Sequence, residues 1–209
     1  MKNNANANLF ILMLILLTST PVSAASGSLA GSLAQPQAAF FETLAALCGK
    51  AFAGKMAVNR PTNDAFNGIP LIMHVRKCSN TEIRIPFHVG NNRSRTWVIS
   101  KTMAGLMLKH EHRHEDGTDH VLTQYGGVAV DAGWNSVQSF PADLFTKTLF
   151  VNQQIPQSND NIWQIYVYPD RFSYRLIGPA KEFRVDFDLT ETIQLPPTPW
   201  GAKLSDKSP

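Results

Sequence analysis

From residue 50 onward, apolar and polar residues mostly alternate at every second position, and a period of two predicts strands. The regular stretches fall at 50–58, 71–77, 82–89, 95–101, 106–115, 118–125, 135–140, 161–168, 171–178 and 182–189. Ile83, Ile85, Phe87 and Val89 share one face of their strand, while Glu82, Arg84 and His88 take the other. Trp97, Ile99 and Met103 oppose Thr96, Val98 and Ser100; Phe183, Val185, Phe187 and Leu189 oppose Arg184, Asp186 and Asp188. Each such strand has one dry and one wet face. Helical spacing replaces this pattern twice. Phe40, Phe41, Leu44 and Leu47 predict an amphipathic helix over 37–48, and Pro141 followed by Leu144, Phe145, Leu149 and Phe150 predicts a second over 141–152. Short links such as Cys78-Ser79-Asn80, Gly90-Asn91-Asn92 and Pro169-Asp170 are turn chemistry. About ten strands joined mainly by hairpin-length links predict an all-β protein, a single antiparallel up-and-down barrel with a short N-terminal helix and one inserted helix.

The stretch Lys109 to His120, KHEHRHEDGTDH, holds four of the six histidines. It continues the alternation of Leu106 and Leu108, so His110, His112 and His114 fall on the inward face, and Lys109, Glu111, Arg113 and Glu115 face water. Asp116-Gly117 is a two-residue hairpin signal. That turn sets His114 opposite Asp119, His112 opposite Val121 and His110 opposite Thr123, with His120 on the charged face. With Ala104-Gly105 as the preceding turn, Trp97 stands beside His112. Alternate histidines lie about 7 Å apart on one side of a strand, so His110 and His112 form a candidate pair for zinc or copper. Asp119 would complete it or fix a tautomer. The competing expectation is a wet cavity wall, with a haem or small-ligand contact as a third. The candidate ligand-binding set is Trp97, His110, His112, His114, Asp119 and Tyr125. His88 is expected on an exposed face, and the position of His74 stays open.

The start of the chain reads as an export signal. Lys2, an apolar run from Leu9 to Leu17 and Val22-Ser23-Ala24 predict a signal peptide over 1–24, cleaved near Ala24-Ala25, and a periplasmic or secreted product. A flexible Ser/Gly/Ala leader over 25–36, a barrel domain over 37–194 and a Pro-rich tail over 195–209, lying across the outside, follow. No later stretch is apolar for long enough to span a membrane as a helix. In an exported chain the two cysteines, Cys48 and Cys78, are expected to form a disulfide.

Leu44-x-x-Leu47-x-Gly49-x-x-Phe52-x-Gly54 resembles the opening of calycin barrels, the group of lipocalins, fatty-acid-binding proteins and nitrobindin-like haem proteins. It departs from them in carrying Gly49-Lys50-Ala51-Phe52 where they have Gly-x-Trp. IRIPFHVG, SRTWVI, KHEHRHEDG and FRVDFDLT are similar to a group of uncharacterised secreted bacterial proteins, a resemblance that implies no activity.

Charge and motifs narrow the function classes. The formal charge of +3 becomes +2 without Lys2, and the basic residues are scattered, which argues against nucleic acid. There is no CxxC, no Gly-x-Ser-x-Gly elbow, no P-loop and no dinucleotide fingerprint. HEHRHED has His114 where the HxHxDH metallo-hydrolase pattern needs Asp. Gly105, His110, His112 and Glu115 are similar to the first cupin motif, with spacings one residue short and no second motif. The expected function is therefore an exported small-ligand-binding barrel rather than an enzyme. A cupin-like histidine metalloprotein and a structural or partner-binding envelope protein with a filled barrel are the alternatives.

Overall fold

The computed structural model describes residues 33–62, 66 and 68–202. Helix α1 (Gln35–Ala45) leads into β1 (Ala51–Arg60), β2 (Leu71–His74), β3 (Lys77–Cys78), β4 (Glu82–Val89), β5 (Asn92–Thr102), β6 (Gly105–His112) and β7 (Tyr125–Val128). Then come β8 (Val137–Pro141), helix α2 (Leu144–Asn152), a 3-10 turn at Pro156–Ser158, β9 (Ile162–Val167), β10 (Arg171–Gly178) and β11 (Lys181–Asp188). The signal-peptide reading lies outside the described residues. Helix α1 begins at Gln35, inside the stretch expected as leader.

The ladder runs β7-β6-β5-β4-β2-β1-β11-β10-β9-β8, every pairing antiparallel, with β3 appended to β4. It is a meander whose last strand returns beside its first, a nearly closed all-β barrel compatible with a calycin-like fold. Where β7 and β8 leave the ladder open, one backbone bond and one side chain take over. The Asp143 N–H donates to the Gly126 carbonyl (3.0 Å). The Thr146 hydroxyl, at the start of α2, accepts from the Gly126 N–H and donates to its carbonyl, both at 2.7 Å. A Cβ on Gly127 would stand 1.7 Å from the Pro141 carbonyl oxygen, so only glycine lets the two edges cross.

The predicted inward sets build the core. Ile83, Ile85, Phe87, Trp97, Ile99, Val185 and Phe187 are buried, joined by Trp163, Ile165, Phe172 and Phe140 from strands β8 to β10. Phe40, Phe41 and Leu44 of α1 are buried against them. Gln37 of α1 donates to the Asp131 carbonyl (2.8 Å), and Lys101 lies over the Phe41 ring. The helix thus seals the end of the barrel where β1 begins.

Two turns differ from expectation, and each difference has a local cause. Thr102 pairs with Gly105, so the β5–β6 turn is Met103-Ala104; the Thr102 hydroxyl donates to the Gly105 carbonyl (2.7 Å) and accepts from the Ala104 N–H (3.2 Å). Met103, expected on the Trp97 face, is exposed at the turn. Residues 118–124, expected as most of a strand, are not in one. Asp116 accepts from the Thr118 N–H and hydroxyl, widening the loop so that Arg113, not His114, pairs with Asp119. Regular pairing resumes three positions back along β6 and six further along the returning chain, with His110 opposite Tyr125.

Cys48 and Cys78 are disulfide-bonded, tying the end of α1 to the short β3. A loop of 30 residues implies about 3–4 kcal/mol of stabilisation in the chain-entropy picture. Urea unfolding with and without reductant measures this, and reduction is expected to lower the unfolding free energy by about that amount. Free-thiol titration of the denatured, unreduced protein is expected to find none.

Candidate functional site

The barrel is filled near α1 and hollow at its other end. Between the two lies His110. It points inward after Leu106 and Leu108 and is buried. Its Nδ1 lies 3.0 Å from the Tyr125 carbonyl oxygen, which only accepts, so Nδ1 carries the hydrogen. Nε2 is then a bare acceptor, 2.8 Å from the Tyr174 hydroxyl, which donates to it from β10 on the far side. Burial pushes the imidazole pKa down to about 3; the bond to the Tyr125 carbonyl opposes this and Lys109 adds to it. Burial also lifts the Tyr174 phenol well above its usual range, with Tyr125 adding to the effect and Arg95 and Trp97 opposing it. Near neutral pH neither group changes charge. The pair is a satisfied polar bridge, not an acid–base couple.

Aromatic rings pack around this bridge. Tyr125 stacks on His110 (4.5 Å between centroids), and Trp97 stacks with Phe87 (4.9 Å) and Tyr174 (4.4 Å). Above them opens a cavity of about 590 Å³ at the end where β1 finishes. Its apolar wall is Phe66, Phe87, Trp97, Tyr174, Leu176 and Phe183; Arg95, His110, Tyr125 and Lys181 also line it. Phe66 and Phe183 meet at 5.0 Å at the mouth.

The two acids at this cavity are already matched by cations. Glu182 takes Arg175 (2.6 Å) and Arg60 (3.0 Å), and Glu111 takes Arg84. Arg95 has no carboxylate partner among the described residues. One terminal nitrogen, Nη1, makes its hydrogen bonds, to Asn92 Oδ1 (3.1 Å) and Ser94 Oγ (3.2 Å). Burial pulls its pKa down, and Tyr125 and Tyr174 oppose that.

Of the residues singled out from the sequence, Trp97, His110 and Tyr125 come together at the cavity floor. Trp97 lies opposite His110 rather than beside His112, a consequence of the shifted β5–β6 turn. His112 is half-buried opposite Arg95, and its pKa falls to about 4 through burial, then through Arg95, His120 and His114. His114 is exposed, and neither it nor Asp119 lines the cavity; Asp119 instead pairs with Arg113 at 3.1 Å. His120, expected on the charged face, packs its ring 4.5 Å from His112 and 5.0 Å from His114. No group of three or more His, Cys, Asp or Glu side chains among the described residues is arranged to hold a metal ion.

His88 corrects an expectation: it is on the outer face, yet buried, as is His74. The chain after β11 pairs Ile193 with Ala51 on β1 and bonds Thr198 and Trp200 to Arg93 on β5. Between those anchors it crosses β2 and β4, the strands that carry the two histidines. Burial lowers both pKa values to about 4, with Arg76 contributing at His74 and Arg93 at His88.

Arg95 and Tyr174 were missed. Their signal was the phase of the alternation: Arg95 precedes Trp97 and Ile99 by twos, and Tyr174 stands between Phe172 and Leu176. No protein-family model, curated protein or solved structure matches the chain, so the functional reading rests on geometry.

Two outcomes are expected. Tyr174→Phe strands Nε2 of His110 and costs about 1–3 kcal/mol in urea unfolding. Acid acts on the buried and half-buried histidines: His74, His88, His110 and His112 all have folded pKa values below the unfolded value, so the unfolded chain binds more protons. Their contribution is complete above the unfolded pKa, near 6.5, and is lost as pH falls from there through about 4 and then 3. Unfolding free energy measured between pH 7 and 4 should therefore decline with acid, and His110→Gln should make that decline shallower.

Proposed function

We propose that the protein is an exported binding protein that takes a small, largely apolar ligand into the open end of its barrel. The observation that carries this reading is the cavity of about 590 Å³, sealed below by packed side chains and walled by aromatic rings. Its volume lies within the ~300–1,000 Å³ range of small-molecule sites, and an apolar wall with a few placed polar groups is their usual composition. Trp97, Tyr125 and His110 form the floor in this reading, and His112 stands near the rim beside Arg95. Export is supported by the Cys48–Cys78 bridge, a bond that persists in oxidising compartments, and by the signal-like start of the chain. No helix among the described residues is long and apolar enough to cross a membrane.

Against a metal pair of His110 and His112 stands the cost of freeing His110. Both its nitrogens are engaged, and a metal at Nε2 would have to displace the Tyr174 hydroxyl inside the core. A haem iron would meet the same obstacle.

The test is binding of a neutral apolar fluorophore, N-phenyl-1-naphthylamine, to untagged mature protein. One saturable equivalent is expected. Leu176→Trp, which fills the cavity from β10, should weaken it by about tenfold or more, while Leu195→Trp on the exposed tail should leave it unchanged. Absence of saturable binding would remove the reading. A zinc titration separates the metal alternative, which requires stoichiometric uptake that His110→Ala and His112→Ala each abolish.

A further inference from the structure

We infer that the ligand of this cavity is a compact monocarboxylate, held through its charged end by Arg95; the inference rests on the ligand-binding reading above. Arginine is seldom withdrawn from water without an anion beside it. Arg95 is half-buried, aligned in phase with Trp97 and Ile99, and opposite Phe87 on one neighbouring strand and His112 on the other. The acids lining the same cavity, Glu111 and Glu182, are held by Arg84 and by Arg60 with Arg175. Lys181, also on the wall, donates to Ser158 Oγ and has no carboxylate partner either among the described residues. The cavity therefore carries positive charge that its own acids do not neutralise.

The guanidinium makes its hydrogen bonds from Nη1, to neutral oxygens of Asn92 and Ser94 that fix its position. Nη2 and Nε make none among the described residues. Those two nitrogens form one edge of the planar fork, the geometry that takes both oxygens of a carboxylate. The ligand's size follows from the floor. Below Trp97 and His110 the barrel holds Ile99, Leu108, Ile165 and Phe172, all fully buried, so a long chain has no axial path. A short ring-bearing or branched body fits the aromatic wall.

The probes are 2-naphthoate and 2-naphthamide, which share a body and differ in charge, titrated by calorimetry into the disulfide-intact mature protein. Wild type should bind the acid at least about tenfold tighter than the amide, the gain expected of a charge-assisted pair. Arg95→Met should abolish that preference, so that the acid binds no tighter than the amide. Arg95→Lys, which keeps the charge without the fork, should restore part of it. The ligand-free Arg95→Met protein should melt no lower than wild type, since a charge without a counter-ion is removed; a purely structural arginine would give a lower melting temperature. The His112 imidazole, followed by NMR, should titrate at higher pH in this variant. Equal binding of acid and amide by wild type, while N-phenyl-1-naphthylamine still binds, would overturn the carboxylate assignment and leave the cavity reading standing. Failure of all three probes to bind would overturn both. The wild-type comparison does not depend on any variant folding.

Discussion

The Tyr174–His110 hydrogen bond joins β10 to β6 through the barrel interior, and the division of that interior turns on it. An unpaired polar group withdrawn from water costs about 1–3 kcal/mol, and at His110 that cost is avoided at both nitrogens. The Tyr125 carbonyl and the Tyr174 hydroxyl meet that requirement and force one tautomer. With His110 fixed, Trp97 across the ladder and Tyr125 beside it have a defined surface to pack on. Below this layer the barrel is a conventional core. Above it there is room.

Closure depends on a second economy of side chains. A barrel removes sheet edges only if the first and last strands meet. Here β7 and β8 do not form a ladder, and Gly126, Asp143 and Thr146 supply the missing bonds. The lack of a Cβ at Gly127 is what allows the contact. Helix α1 performs the corresponding task at the far end. Having one end plugged and one seam stapled leaves the mouth near Phe66 and Phe183 as the natural entrance.

Most of the strands were legible because a half-buried strand writes its period into the sequence. The stretches 82–89 and 171–178 match β4 and β10 at both ends. What failed was register, which alternation does not encode. Asp116-Gly117 reads as a two-residue turn, yet the Asp116 carboxylate caps Thr118 and makes the loop wider. Thr102 similarly captures the β5–β6 turn. On β6 these shifts move cross-strand partners without moving faces, so His110 was placed inward correctly but given the wrong neighbours, whereas Asp119 and His120 in the loop change sides. His88 failed for a different reason. Its face was read correctly as the outer one, but the chain that crosses β2 and β4 on that side lies about a hundred residues later, beyond the reach of a local pattern. Arg95 was visible in phase and passed over, because a charged residue inside a strand pattern is easily assigned to solvent.

In the function proposed above, the hollow end of the barrel holds a small organic ligand. Native mass spectrometry of untagged protein exported to and purified from an oxidising compartment tests it most directly. A species heavier than the disulfide-bonded chain by one small organic molecule is expected, lost on denaturation and absent from Leu176→Trp. A spectrum showing the bare chain alone, before and after incubation with 2-naphthoate and with N-phenyl-1-naphthylamine, or one metal ion in place of an organic mass, would contradict it.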